Sequence, residues 1–148
     1  MKYRVAIAQA EPCYLDLAGG LELTSDLVAQ AAKGGAQLVA FPETWLPGYP
    51  AWLDCARDIG LWDHAPVKRL YAKLARESIE VPGPDCEKLS EIARSHQVVL
   101  CVGLQERGHG ESGNGTLYNS MLIFDRDGRM IGHHRKIMPT FTERLIWG

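Results

Sequence analysis

Leu38-Val39-Ala40-Phe41-Pro42-Glu43-Thr44-Trp45-Leu46-Pro47-Gly48-Tyr49-Pro50 is the stretch on which the reading of the chain turns. Its first four residues form a short apolar run, the pattern of a buried strand. Pro42 has no N–H to give to a ladder and ends that strand. Glu43 follows at once, in a loop stiffened by prolines and furnished with Trp45 and Tyr49. An acid at the carboxyl end of a buried strand, held against aromatic walls, is placed for work as a general base, because desolvation makes a carboxylate hold a proton more tightly. The alternative is a loop acid in contact with water, with the prolines serving as punctuation.

Upstream, Tyr3 to Ala10 alternates weakly around Val5, Ile7 and Ala8 and reads as a first strand, broken by Glu11-Pro12. From about Gly20 to Lys33, Leu23, Leu27, Val28, Ala31 and Ala32 recur at helical spacing, and Gly34-Gly35 supplies a left-handed stop. The first forty residues are therefore β-α-β, which favours parallel strands and a right-handed crossover.

Downstream, residues 51–63 are rich in apolar side chains but indistinct in period. Pro66 opens a helix whose stripe is Val67, Leu70, Tyr71, Leu74 and Ala75. Asp85 is the expected N-cap of a further helix carrying Leu89, Ile92 and Ala93, with His96 at its C-terminal end in a structural or dipole-capping place. Val98 to Gln105 is a near-continuous apolar run and a buried strand. Glu106 to Gly115 reads by composition as a mobile hairpin loop. Leu117–Phe124 and Arg129–Arg135 read as strands joined by the turn Asp125-Arg126-Asp127-Gly128. Lys136 stands at the end of the last strand, and Glu143 lies seven residues on. The expected class is α/β, with Glu43, Lys136 and Glu143 at strand ends or just beyond, where open α/β sheets gather their chemistry. A lysine between two carboxylates stays protonated and can stabilise a developing anion. A purely structural Glu–Lys pair is the alternative.

The 148 residues fit one domain, with 46% hydrophobic and 23% charged residues and a net charge of −2. Nothing in that balance recommends nucleic acid or an anionic membrane as partner, and no apolar run reaches the roughly 20 residues that span a bilayer. Met1-Lys2-Tyr3-Arg4 leads straight into strand-like sequence without the h-region of a signal peptide, so a cytoplasmic protein with reduced thiols is expected. Cys13, Cys55, Cys86 and Cys101 form no C-x-x-C pair, and no metal site is expected. Cys101, within an apolar strand, reads as a buried thiol. The other three lie in or near loops. A nucleotide-binding reading lacks its glycine-rich loop after the first strand.

Phe41-Pro42-Glu43 with Thr44 to Pro50, Val81-Pro82-Gly83-Pro84, Leu117-Tyr118-Asn119-Ser120, and His134 to Thr140 with Thr142-Glu143-Arg144 and Trp147-Gly148 together resemble the N-terminal half of a nitrilase, in the carbon–nitrogen hydrolase superfamily. The resemblance covers the whole chain. It implies an α-β-β-α sandwich, of which residues 1–148 would be the N-terminal part of a single domain. It also implies a Glu-Lys-Cys triad in which Glu43 is the general base, Lys136 stabilises the tetrahedral species and Glu143 orients the lysine or substrate. The implied substrate is a small nitrile, converted to a carboxylic acid and ammonia, with no cofactor and no metal. A homo-oligomer is implied as well.

In that family the nucleophilic cysteine lies beyond the Trp-Gly pair, and none of the four cysteines here matches its motif. The chain alone is therefore expected to be inactive. An amidase or carbamoylase of the same superfamily, and a non-catalytic subunit associating with a complete homologue, are the other readings. Half of such a sandwich is also expected to leave apolar sheet surface exposed.

Overall fold

The elements run β1 (Val5–Ile7), α1 (Leu17–Lys33), β2 (Leu38–Ala40), α2 (Trp52–Cys55), α3 (Ala65–Arg76), α4 (Pro84–His96), β3 (Val99–Arg107), β4 (Leu117–Phe124) and β5 (Met130–Arg135), closed by a 3-10 helix over Phe141–Leu145. They are seen in a computed structural model that describes residues 2–110 and 115–148. The five strands lie side by side in chain order. β1, β2 and β3 are parallel, and β3, β4 and β5 are antiparallel.

Local chemistry explains the elements. The Asp16 carboxylate caps α1 by accepting from the Gly19 N–H at 3.0 Å, so the helix begins earlier than its apolar period suggests. Gly35, at φ +84°, turns the chain out of it. In the β4–β5 turn, Asp125 Oδ1 accepts from the N–H groups of Asp127 and Arg129 at 3.0 and 2.9 Å, and Gly128 takes φ +82°. This is the expected hairpin, held by an Asx-type turn.

One face of the sheet carries the main core. Val39, Leu100, Val102, Leu104, Leu122 and Phe124 meet Leu17, Leu21 and Val28 of α1 and Leu89 and Ala93 of α4. Fully burying each such side chain contributes about 2 kcal/mol. A second cluster gathers Leu53, Leu74, Leu117, Ile146 and Trp147, with Tyr49 and Trp52 against it. The alternation of strand side chains puts Val5, Ile7, Met121 and Ile123 on the opposite face. There Ile7 is 80% exposed and Val5 55%.

Several expectations need correction. Glu106 and Arg107 belong to β3 and not to a loop, because Glu106, itself buried, finds polar partners across the sheet. The centre of the expected hairpin loop, residues 111–114, lies outside the described residues. The N-cap of α4 is Gly83 with Pro84 in the first turn, while Asp85 sits inside the helix and bonds Lys88. Cys86 is within α4 and buried, and burial pushes its thiol up to about 11. Cys101 is only half-buried, because it points to the face away from the helices. The four cysteines are free. Among the described residues no helix is long and apolar enough to cross a membrane.

Candidate active site

Glu43 stands two residues past Phe41, where the chain leaves β2 and crosses the top of β3. Gly103 makes the crossing possible. A Cβ there would lie 2.3 Å from the Pro42 carbonyl oxygen and 2.8 Å from Glu43 Cα. Thr44 takes φ +50° immediately after the acid, a costly conformation for a β-branched residue. Trp45 and Leu46 hold that strain in place. Trp45 Nε1 donates to Thr24 Oγ1 at 2.7 Å inside the core, and Leu46 rejoins β3 through bonds to Gly103 O and from Gln105 N. The loop is thus fastened to α1 and β3 on either side of its turn.

This anchoring overturns the aromatic enclosure expected around Glu43. Trp45 turns into the core instead of walling the acid, and the Glu43 side chain is 51% exposed. Tyr49 reaches Glu143, donating its hydroxyl to Oε1 at 3.3 Å. Burial and the Glu143 charge push that phenol up, so it remains a donor. Trp62 is almost fully exposed.

Lys136 joins the three expected residues. Its Nζ donates to Glu43 Oε1 at 2.9 Å and to Glu143 Oε1 and Oε2 at 3.1 and 2.9 Å. The bonds to Glu143 and Glu43 outweigh burial and raise the lysine above its ordinary range, so it carries its charge. Burial pushes the Glu143 carboxyl up, but bonds from Lys136 and Thr140 outweigh it and hold the acid below its ordinary value. Glu143 is also fixed by its own helix. Thr140 is the N-cap of the 3-10 helix, and its N–H and Oγ1 donate to Glu143 Oε2 at 2.6 and 2.9 Å. The T-x-x-E spacing of residues 140–143 is a capping-box signature that the sequence alone displays.

Asn119 was not singled out by sequence reasoning. Its Nδ2 donates to Glu43 Oε1, and its carbonyl accepts from the Lys136 N–H at 2.7 Å. Its place in the Leu117-Tyr118-Asn119-Ser120 stretch, on the same face of β4 as Met121, was the available signal. Glu43, Lys136 and Asn119 border a cleft of about 290 Å³, completed by Phe41, Gly103, Ser120, Met121 and His134. None of the four cysteines lines it. Two carboxylates and one ammonium leave the cluster with a net negative charge. It can accept a proton at Glu43, the more exposed acid, and offer positive charge to an anion from Lys136. Among the described residues no group of three or more His, Cys, Asp or Glu could hold a metal ion.

Residues 4–148 match the sequence profile of the carbon-nitrogen hydrolase family. An arylacetonitrilase from Aspergillus kawachii is 38% identical over 145 residues, covering 98% of this chain and 40% of that enzyme. A nitrilase from Bacillus sp. strain OxB-1 is 40% identical over 148 residues, and a cyanide hydratase from Neurospora crassa is 35% identical over 147. Both are matched over 99% of this chain, but only 40% and 39% of their own length. An amidase from Nesterenkonia sp. AN1, in a variant solved with acrylamide added at its active-site cysteine, superimposes with a TM-score of 0.68 at 22% identity. It matches 99% of this chain and 49% of its own. The five-stranded mixed sheet with its helices is accordingly the α/β nitrilase-superfamily fold. With the profile matched from the first strand to the last residue, this chain belongs to the carbon-nitrogen hydrolase family.

Proposed function

We propose that the chain is the N-terminal part of a nitrilase-type hydrolase that converts a small nitrile to a carboxylic acid and ammonia. The observation that carries the reading is the bridge from one ammonium, Lys136 Nζ, to both Glu43 and Glu143. Glu43 is the general base, Lys136 the electrostatic stabiliser, and Glu143, locked by Thr140 and Tyr49, holds Lys136 in place. The nucleophile is a cysteine of a segment beyond residue 148. The share of each relative that is matched, near 40%, supports this division.

These roles dictate the chemistry. Glu43 takes the thiol proton as sulfur attacks the nitrile carbon and returns it to the nitrile nitrogen, giving a thioimidate and the carboxylate again. Water, deprotonated by Glu43, adds to that carbon. Glu43 hands that proton to the nitrogen, and collapse of the tetrahedral species, its hydroxyl proton passing to the same nitrogen, expels ammonia and leaves a thioester. A second water, activated by the same carboxylate, releases the acid and restores the thiol. At each addition the ammonium of Lys136 faces the charge that develops. Two waters are consumed for each nitrile. Nitrile is preferred to amide because the relatives at 35–40% identity carry names of nitrilases and a cyanide hydratase.

The test is ammonia release from aliphatic and aromatic nitriles, and from the matching amides. The chain is assayed beside a version extended through the remaining part. Activity only in the extended form, lost by at least about a thousandfold in Glu43→Gln and Lys136→Met, is expected. Activity in the short chain would move the nucleophile to Cys13, Cys55, Cys86 or Cys101 and sink the assignment.

A further inference from the structure

On the side of the sheet away from the cleft, a second charged cluster sits beneath the same strand end. Glu106, 1% exposed, accepts from Ser120 Oγ at 2.6 Å and from the Arg135 guanidinium at 2.5 to 3.2 Å, and it meets His133 Nε2 at 2.8 Å. Arg135 lies over the Tyr118 ring at 3.9 Å. One carboxylate on β3 therefore holds β4 and β5 at once. Ser120 is the cross-strand partner of Arg135. The next step along each strand, Asn119 and Lys136, turns to the other face and meets Glu43.

Two features make this fastening matter. β5 is an edge strand with β4 as its neighbour. Its register is also interrupted by an irregularity at Ile123/Phe124, close to the hairpin turn. The turn therefore does not by itself dictate the pairing at the far end, where Lys136 stands. A slip of one residue in a strand exchanges its faces. Here it would send Lys136 under the sheet and Arg135 into the cleft. A buried carboxylate is a costly way to gain stability alone, since apolar residues of similar volume often serve as well. Its distinctive capacity is to specify one arrangement.

We propose that Glu106 is a positioning residue for Lys136. By gripping Ser120, His133 and Arg135 on the helix-side face, it fixes the end of β5 in the register that delivers the ammonium to Glu43 and Glu143. The consequence for catalysis rests on the reading of Lys136 given above, while the positioning itself is measurable without any turnover.

The experiment is an NMR titration of the chain, following the Lys136 side-chain carbon and nitrogen and the Glu143 carboxyl carbon. His134, which lines the same cleft, is followed by its own ring signals. In Glu106→Gln the Lys136 titration falls and that of Glu143 rises, each by about half a pH unit or more, while dispersed spectra show that the fold is kept. Ser120→Ala, which removes a single donor, gives a smaller shift in the same direction and decides the matter if Glu106→Gln does not fold. Val28→Ala, a core truncation remote from the cluster, lowers the melting temperature and leaves both titrations in place. Titrations in Ser120→Ala and in folded Glu106→Gln that coincide with those of the parent, or that move equally in Val28→Ala, overturn the proposal. Failure of an extended protein to hydrolyse nitriles would leave these shifts untouched, so the two ideas fail separately.

Discussion

The two faces of the β3–β4–β5 sheet are made by the same three strands, yet along the middle of β3 and β4 only one is sealed. On the helix side Leu100, Val102, Leu104 and Leu122 are fully buried. The buried carboxylate there, Glu106, has a guanidinium, a hydroxyl and an imidazole on its oxygens. On the cleft side Met121 is 37% exposed, and the charged residues Glu43 and Lys136 keep 51% and 30% of their side chains in solvent. The difference teaches that, along the middle of β3 and β4, burial and function are divided by face. The sealed face holds the geometry, and the open face uses it.

The sharpest way to break that division is to fill the place where the two faces constrain each other. Gly103→Val would drive a branched side chain into the Pro42 carbonyl and Glu43 Cα. Overpacking against backbone has no cheap relief, and a loss of about 3 kcal/mol or more is expected. Urea unfolding measures it. Met121→Leu, on the same face of the neighbouring strand, should change the midpoint little. A Gly103→Val chain as stable as the parent would show that the Glu43 turn is not pressed against β3.

Lys136→Met isolates the electrostatics of the open face. It leaves Glu143, with 7% of its side chain exposed, facing Glu43 without a cation. Stripping one partner from a buried pair costs about 3–5 kcal/mol, and the partial exposure of Lys136 brings the expected loss to about 2 kcal/mol. The Glu143 carboxyl should titrate higher at the same time. A stability loss without that movement would mean that Lys136 matters through its aliphatic stem.

Acid titration compares the faces directly, because each holds one carboxylate in the same state. Burial pushes Glu106 up, but bonds from Arg135, Ser120 and His133 hold it below the ordinary 4.5, as Lys136 and Thr140 do for Glu143. An acid whose folded value is depressed contributes stability that is complete above the unfolded value. That contribution is lost as pH falls through the folded one. Lys136 is raised above 10.5, so its contribution is complete below that value and lost as pH climbs past its folded one. The thermal midpoint should therefore be level from about pH 5 to 10 with respect to these groups and fall on either side. Glu106→Gln and Glu143→Gln should each make the acid fall shallower. Unchanged slopes in both variants would remove these acids from the account.

Much of this was legible before any coordinates. The continuous run Val98 to Gln105 gave a buried strand, Gly34-Gly35 a helix stop, Asp125 to Gly128 a hairpin, and Pro42-Glu43 an acid at a strand end. Lys136 and Glu143 were placed near that acid by motif, and Lys136 is in contact with both carboxylates. What stayed hidden depends on pairing across strands. Glu106 sits in a polar, glycine-rich stretch, and only its partners on β4 and β5 draw it into the sheet. Asn119 becomes a site residue because β4 places its carbonyl on the Lys136 N–H and its amide on Glu43. Trp45 looked like a wall for Glu43, and nothing local says that its indole will reach Thr24 on α1.

The smallest effect on stability, and the cleanest on surface, is expected at the far end of the open face. Val5 and Ile7 lie on edge strand β1, largely in solvent, so replacing both by Glu should cost no more than about 0.5 kcal/mol each. Contiguous apolar sheet surface binds hydrophobic dyes and promotes association. The double variant should therefore bind less dye and show a smaller hydrodynamic size by light scattering, at an almost unchanged melting temperature. An extended protein whose remaining part packs on this face would bind little dye to begin with. In that protein the same two charges would be destabilising by several kcal/mol, because they would be buried without partners. Parent chain and double variant that match in dye binding and in size would instead mean that the face is covered by its own residues, and the contrast between the two sides of the sheet would lose its physical basis.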